Sequence, residues 1–328
     1  MNDEVIIGVD LGGTRLRAAR LNRQLEIQQR EETLSEGAAG YDVTLARVKT
    51  LIQAVMPKDR SQVAGIGLSV PGPLNPLTGV VVSPPNLKGW HNVPLADILR
   101  REFDVPVYIG NDANVAGLAE TVRGAAQGCR HVIFITVSTG IGSGMIIEGK
   151  MLLGKNGLAA EAGHMTLIVD GQVSSLEKEA SGPALARKAR ERIASGAESS
   201  IRTLVNGDLS LIEGKTVGQA AVQGDPLALD IVQEGGRMLG LGMVSLLHLF
   251  NPEILVFGGG VSQLGSLLLD PMREAIYEHC IDRSYWENLR IERAALGENV
   301  SIIGAAALVP TQGGVRDVAD VAAVLGSG

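Results

Sequence analysis

Apolar positions along the chain fall into short alternating runs and into runs with a helical period, and the two kinds take turns. Val5 to Asp10 and Arg15 to Asn22 read as strands joined by the tight turn Leu11-Gly12-Gly13-Thr14, and Ile27 to Thr33 can add a third strand to this meander. Apolar residues at Val43, Ala46, Val48, Leu51, Ile52 and Val55 predict a helix over Tyr41 to Met56, which Pro57 stops. A buried strand follows at Val63 to Val70. The segment from Pro71 to Pro94 holds six prolines and Trp90, a composition that predicts an ordered loop over a site rather than a linker.

Beyond it, Leu95 to Phe103 reads as helix and Val107 to Gly110 as strand, with Asn111-Asp112 at the mouth of a helix from Ala113 to Arg123. A carboxylate where a strand ends and a helix opens gains from the helix dipole and sits at the exposed end of the sheet. His131 to Val137 and Gly142 to Glu148 then repeat the opening pattern around the turn Ser138-Thr139-Gly140-Ile141. Pro183 to Ala194 and the long apolar Pro226 to Phe250 read as helices, and Glu253 to Phe257 as a strand ending in Gly258-Gly259-Gly260. Helices are expected from Gln263 to His279, at Ser301 to Val309 and at Val315 to Leu325. Strands and helices in this order predict an α/β protein.

The 328 residues carry 29 Lys+Arg against 36 Asp+Glu, a formal charge of −7 that argues against a nucleic-acid partner. The length favours two domains. An aromatic share of 3% disfavours stacking platforms for bases or sugars, so small aliphatic residues must build the core. Cys129 and Cys280 form no C-x-x-C spacing and suggest neither a disulfide framework nor a thiolate metal site. Met1-Asn2-Asp3-Glu4 is acidic and lacks the basic flank of a secretory signal. Met238 to Phe250 is too short to cross a bilayer, so a cytoplasmic protein without membrane contact is expected.

The two glycine turns carry the candidate chemistry. A tip such as Gly12-Gly13-Thr14 presents backbone N–H groups and a hydroxyl with no side chain in the way, so it can approach phosphate oxygens closely. Each tip alone reads first as a plain type I′ or II′ hairpin turn. The pair of them, with Asp10 at the first and Thr139 at the second, favours a phosphate clamp. Two other stretches imitate phosphate loops and fail: Gly144 to Lys150 has Met151 where Ser or Thr is required, and Gly214-Lys215-Thr216 has Leu209 where the first glycine belongs. No G-x-G-x-x-G occurs, which disfavours a nicotinamide-binding unit.

Asp10-Leu11-Gly12-Gly13-Thr14, Ser69-Val70-Pro71-Gly72-Pro73, Asn111-Asp112-Ala113-Asn114, Ser138 to Gly144, Glu161-Ala162-Gly163-His164 and Gly258-Gly259-Gly260-Val261 stand in an order that resembles the ROK family. That family comprises bacterial and archaeal sugar kinases and related repressors of the actin and hexokinase-like superfamily. The resemblance covers residues 5 to 309. It implies a two-lobed actin-like ATPase (ribonuclease H-like) α/β fold with a ligand cleft between the lobes, one lobe being 1–112 completed by 303–328 and the other 113–302.

The resemblance also implies residue roles. Asp10, Gly12, Gly13, Thr14, Thr139 and Gly140 would flank the phosphates of ATP, Asp10 would position Mg²⁺ through water, and Gly259 and Gly260 would lie along adenosine. Gly72, Asn86, Asn111, Asp112, Glu161, His164 and Glu177 would fall on the sugar, with Asp112 as catalytic base. General chemistry agrees, since phosphoryl transfer to an alcohol needs an in-line hydroxyl, a proton acceptor and stabilisation of the phosphate oxygens. Plainer alternatives stand beside these roles: Asp112 can cap the helix starting at Ala113, and Glu161 with His164 can form a local turn pair. His91, His131, His248 and His279 have no such company.

The chain departs from the family in one segment. Most ROK kinases carry C-x-C-G-x-x-G-C between the Gly-His pair and the next Glu, binding structural zinc; here His164 to Glu177 contains no cysteine. One imidazole with scattered hydroxyls will not hold a tetrahedral zinc, so none is expected. The placement of Glu177 then rests on the following Ala180-Ser181-Gly182-Pro183. The activity implied is 6-phosphorylation of a hexose, most simply glucose, by ATP, with polyphosphate or another donor left open. An N-acetylhexosamine kinase acting on N-acetylmannosamine or N-acetylglucosamine, a fructokinase and an allokinase are alternatives within the class. A non-catalytic sugar-sensing regulator is the alternative outside it; ROK repressors carry an N-terminal helix-turn-helix, and a motif run beginning at Val5 sets the expectation of a kinase. A homo-oligomer, dimer or tetramer, is expected from the family.

Overall fold

The first three strands form the predicted meander: β1 (Val5–Leu11), β2 (Arg15–Asn22) and β3 (Ile27–Leu34) pair antiparallel. The computed structural model describes residues 4–325; the acidic start at 1–3 and the tail end at 326–328 lie outside the described residues. Helix α1 (Tyr41–Val55) follows, then β4 (Val63–Val70), a small hairpin of β5 (Leu74–Asn75) and β6 (Val80–Val81), α2 (Leu95–Phe103), β7 (Val107–Asn111) and α3 (Asp112–Arg123). Strands β4 and β7 continue the sheet in parallel, giving the order β3-β2-β1-β4-β7. Parallel neighbours align their C-terminal ends, and Asp10, Ser69 and Gly110 lie side by side there.

The second five-stranded sheet has the order β10-β9-β8-β13-β14, built from β8 (Val132–Val137), β9 (Ile141–Ile147), β10 (Lys150–Met151), β13 (Ile254–Gly258) and β14 (Arg290–Arg293). Between β10 and β13 the chain makes the hairpin β11 (Thr166–Val169) and β12 (Gln172–Ser175), then α4 (Leu176–Ala180), α5 (Gly182–Ala194), α6 (Ile201–Leu204), α7 (Gly214–Val222) and α8 (Pro226–Phe250). Helix α9 (Ser266–His279) precedes β14, and α10 (Val300–Ala307) and α11 (Val318–Leu325) end the chain. Two compact units result: Met1–Phe134 with Gly144–Ala160 and Ala294–Gly328, and Ile135–Ser143 with Glu161–Arg293.

In the first unit one face of the sheet carries Val5, Ile7, Val9, Ile66, Leu68 and Ile109 against Val48, Ile52 and Val55 of α1 and Leu95, Leu99 and Phe103 of α2. The opposite face is paved with glycine, and α10 lies directly on it. A Cβ at Gly8 would stand 2.6 Å from the Ile302 carbonyl oxygen, and one at Gly67 would stand 1.7 Å from that of Ala305. Trp90 from the proline-rich segment is fully buried, with its ring edge-on to Tyr41 at 5.6 Å. In the second unit α8 is the central helix and packs along α9, α7, α4 and α5.

Several elements differ from the sequence reading. Asn111 still belongs to β7, and α3 starts at Asp112 rather than Ala113. The helix expected from Gln263 divides at Gly265 (φ 57) into a 3₁₀ turn, Val261–Leu264, and α9. Helix α11 begins at Val318 rather than Val315, because the Arg316 N–H is tied back to the Thr311 carbonyl and Asp317 caps the helix, its Oδ1 accepting the Ala319 N–H at 2.9 Å. The β11–β12 hairpin, α4, α7 and β14 carry no clear period. Ile168 and Val173 of the hairpin are 67% and 77% exposed, so no apolar face marks it. Among the described residues no helix is long and apolar enough to cross a membrane.

The contact at Gly67 gives a stability test. Gly67→Ala forces α10 off the sheet and is expected to lower the unfolding free energy by about 2–3 kcal/mol, read from urea denaturation; an unchanged midpoint would mean that α10 yields without loss.

Candidate functional site

In the first unit, acidic side chains gather at the ends of the parallel strands. Asp10 pairs across β1 and β2 with Arg17, and the register puts both side chains on one face. Arg17 Nε and Nη2 donate to Asp10 Oδ2 at 3.0 and 2.5 Å, while Nη1 donates to the Glu298 carbonyl at 2.8 Å. Ser69 Oγ is buried beside Asp10 in the next strand and has no hydrogen-bond partner among the described residues.

Where β7 passes into α3, Asn111 is the N-cap, and its Oδ1 accepts the Ala113 N–H at 3.0 Å. Asp112 Oδ1 accepts the same N–H at 2.8 Å. The capping alternative is therefore real but belongs first to Asn111, because the helix begins one residue earlier than expected. Asn111 Nδ2 lies against Gly72, where a Cβ would stand 3.0 Å away. Asp112 itself is exposed. The protein crowded around it removes part of its hydration and pushes its carboxyl above the ordinary range; the Ala113 N–H opposes this, and the charge of Asp10 adds to the rise.

The tip glycines serve a purpose other than a left-handed turn. None of Gly12, Gly13 and Gly140 has a positive φ, which corrects the type I′ or II′ reading. They are glycine because neighbours approach closely: a Cβ at Gly13 would meet that of Asn86 at 2.8 Å, and one at Gly140 would meet Glu177 Oε2 at 2.6 Å. Thr14 and Thr139 are both exposed, as is Asn86.

In the second unit, Glu177 Oε2 accepts the Ile141 N–H at 2.9 Å, so this carboxylate braces the Ser138-Thr139-Gly140 tip. Gly182 at the start of α5 donates its N–H to the Ser138 carbonyl at 2.8 Å, and a Cβ at Gly214, the first residue of α7, would stand 2.6 Å from Gly182 Cα. Two helix N-termini thus meet beside the tip. At α5 the Gly182, Ala184 and Leu185 N–H groups are taken by Ser138 and Ser181 and Pro183 has none, so it is the start of α7, with the N–H groups of Gly214 and Lys215, that favours an anion. Both N-termini border a groove of about 920 Å³ with apolar walls from Pro183, Ile212, Val222 and Leu264, and with Gly260 on its lining. That is the size of a nucleotide-scale pocket. Gly259 (φ 86) presses on the Val137 carbonyl, where a Cβ would stand 2.4 Å away. Glu161 and His164, both exposed, flank the short 3₁₀ turn Ala162–His164, and the His164 N–H donates to the Glu161 carbonyl at 3.1 Å.

The fold therefore gathers Asp10, Gly72, Asn111 and Asp112 in one unit, with Gly13 on Asn86, and Thr139, Gly140, Glu177 and Gly260 in the other. Neither imitation phosphate loop is one: Gly144 to Ile147 is strand, and Gly214-Lys215-Thr216 opens α7 with a Glu213–Thr216 capping box. Lys215 nevertheless lines the groove, together with Arg190, whose Nη1 donates to the Ile212 carbonyl at 2.8 Å. The sequence reading gave no role to Arg17 or Arg190 and dismissed Lys215 with its imitation loop. Counting the register back from the tip would have found Arg17 opposite Asp10; no local signal marks the other two. Among the described residues no group of three or more His, Cys, Asp or Glu could hold a metal ion.

The chain belongs to the ROK family, whose model matches residues 6–312, and its two five-stranded sheets are those of the family's actin-like α/β fold. Among curated relatives it is similar to a glucokinase of Halalkalibacterium halodurans, 34% identical over 322 residues that cover 95% of this chain and 97% of that one. It is also similar to a putative xylose repressor of Caldicellulosiruptor sp., 30% identical over 94% of this chain and 78% of that one. The crystal structure of a ROK family glucokinase from Streptomyces griseus in complex with glucose and AMPPNP is 33% identical, with a TM-score of 0.74 over 93% of this chain and 98% of that one.

The coupling of the two acids can be read directly. Asp10→Asn removes a negative charge from beside Asp112, so the Asp112 carboxyl should titrate lower than in the unaltered protein when followed by carboxyl ¹³C shifts; an unmoved titration would show the two groups to be independent.

Proposed function

We propose that the chain is an ATP-dependent sugar kinase that phosphorylates the 6-hydroxyl of a hexose, with glucose as the first candidate. The observation that carries this reading is Asp112: an exposed carboxyl at a strand end, held by one N–H and raised in pKa by crowding and by Asp10. A raised pKa makes a carboxylate a better proton acceptor near neutral pH. Asp112 takes the proton of the attacking hydroxyl, and Asn111 Nδ2 steadies a neighbouring hydroxyl. Gly72, Asn86, Glu161, His164 and the remaining oxygen of Glu177 supply the other sugar contacts.

The groove suits a nucleoside triphosphate. Its apolar walls take the base beside Gly260, with Gly259 next to it, while Thr139, neighbouring Gly140 and the α7 N-terminus at Gly214 and Lys215 receive the phosphates. At the first tip the Gly12 N–H is taken by the Arg15 carbonyl at 2.9 Å, which leaves the N–H groups of Gly13 and Thr14 and the Thr14 hydroxyl for an anion. Because Arg17 occupies only Oδ2 of Asp10, Oδ1 is left and would hold a hydrated Mg²⁺. When bound, Mg²⁺ neutralises charge on the phosphate oxygens. The glucokinase relatives and the AMPPNP complex support ATP as donor. The same reading divides the chain into lobes 1–112 with 303–328 and 113–302, places it in the cytoplasm and makes it a homo-oligomer.

Similarity to a xylose repressor favours a second reading, a sugar sensor without turnover. A coupled assay for ADP release over hexoses and N-acetylhexosamines, with Mg-ATP, separates the two. Turnover is expected with glucose; turnover with N-acetylmannosamine or N-acetylglucosamine alone would move the substrate, and none with any sugar would end the kinase reading.

Asp112→Asn keeps an oxygen for the Ala113 N–H while removing the base. It should lower kcat by about 10²-fold or more. The sign for stability is opposite: the raised pKa means that the folded state binds the proton more tightly than the unfolded one, so stability falls as pH rises from the ordinary carboxylate pKa through the raised value. At neutral pH the variant should therefore melt no lower than the parent by calorimetry. A lower melting temperature would assign Asp112 a structural role.

A further inference from the structure

The segment from His164 to Glu177 connects two exposed or half-exposed groups through a weak piece of structure. Hairpin β11–β12 has only four residues per strand, with exposed Ile168 and Val173 facing each other across it. Helix α4 has five residues, too few to hold itself together in water. Glu177 rides on that helix and still reaches the Ile141 N–H at 2.9 Å. Something outside the segment must hold it.

The holding group is a buried ammonium. Lys188 of α5 is 6% exposed, and its Nζ has three acceptors for its three protons: Glu179 Oε2 at 3.2 Å, the Glu179 carbonyl at 3.1 Å and Glu234 Oε1 of α8 at 2.8 Å. Arg187 Nη2 donates to the Lys178 carbonyl at 3.2 Å, so two cations of α5 satisfy the open C-terminal end of α4. Glu179 passes the restraint on, because its Oε1 accepts the Ser174 hydroxyl of β12 at 2.5 Å. At the other end the Leu176 N–H donates to the Met165 carbonyl, next to His164. Burial works to raise the Glu179 pKa, but the bonds from Ser174 and Lys188 and the charges of Lys188 and Arg187 outweigh it and hold the carboxylate ionised below its ordinary range. Arg192 completes the network by pairing with Glu234 and Asp230.

We propose that Lys188, Glu179 and Ser174 are positioning residues: they clamp the β11–β12 hairpin and α4 to α5 and α8, and so keep Glu177 on the Ile141 amide and His164 in its place. Ion pairs and one hydroxyl do this bracing. The consequence for sugar recognition rests on the kinase reading above; the bracing itself does not.

Ser174→Ala cuts the tether to the hairpin without leaving a buried charge unpaired, so it should fold. Amide hydrogen exchange is the first readout. The Ile141 amide and those of residues 166–177 should exchange about tenfold faster than in the parent, with the amides of Ile7 and Ile66 unchanged. Ser174→Thr, which keeps the hydroxyl, should restore the protection. Sugar kinetics is the second readout, and KM for the sugar should rise more than kcat falls, while KM for ATP and resistance to chelators stay as in the parent. Unchanged exchange at Ile141 and across the hairpin would overturn the proposal. Faster exchange in a protein whose parent phosphorylates no sugar would leave the bracing standing and remove only the kinase reading.

Discussion

The first unit depends on one close approach, the backbone of α10 laid directly on β1 and β4. Only glycine at positions 8 and 67 leaves room for the Ile302 and Ala305 carbonyls. This contact closes the face of the sheet that α1 and α2 do not cover, and it sets the chain that leads into α10. The Glu298 carbonyl in that chain receives Arg17 Nη1, and Arg17 in turn grips Asp10. A packing constraint near the C-terminus thus orients a carboxylate near the N-terminus, nearly three hundred residues away in sequence.

Asp10 and Asp112 come together because three strands run parallel and end at one level. Each acid then modifies the other. Asp10 is neutralised on one oxygen by Arg17, whereas Asp112 has no cation partner among the described residues and accepts the helix N–H it shares with Asn111, with a smaller contribution from its own backbone N–H. The two carboxylates, alike in sequence, are thereby given different electrostatic surroundings: one suited to a hydrated cation and the other to accepting a proton.

The second unit solves a related problem with helix ends. The α5 and α7 N-termini meet at Gly182 and Gly214 because neither residue has a side chain to separate them, and the Ser138 carbonyl fixes the tip against Gly182. The groove beside them is largely apolar, so its anion-attracting N–H groups lie at one end of a cavity that otherwise favours a flat, poorly hydrated ligand. The bracing of Glu177 by α5 shows how the same helix holds the Ser138 carbonyl of the tip at its start and supplies a buried cation two turns later.

Much of this was legible along the chain. The meander, the two glycine tips, α1, α8 and the Asp112 junction all rest on local signals: alternation, the helical period, proline stops and strand-to-helix transitions, each of which acts between residues a few positions apart. The role of the tip glycines was not legible, since the need for a turn and the need for close approach look the same in sequence; Asn86 and Glu177, distant in the chain, decided for approach. Nor could the period reveal β11–β12, α4 or β14, whose exposed or very short faces gain their stability from partners elsewhere. The pairing of Lys188 with Glu179 and Glu234, the neutralisation of Asp10 by Arg17 and the groove beside Lys215 belong to tertiary structure alone. Local sequence determines which backbone conformations are favourable, but a charge's partner and a cavity's walls arise only when distant segments pack, and there the energy of an unpaired buried group selects the arrangement.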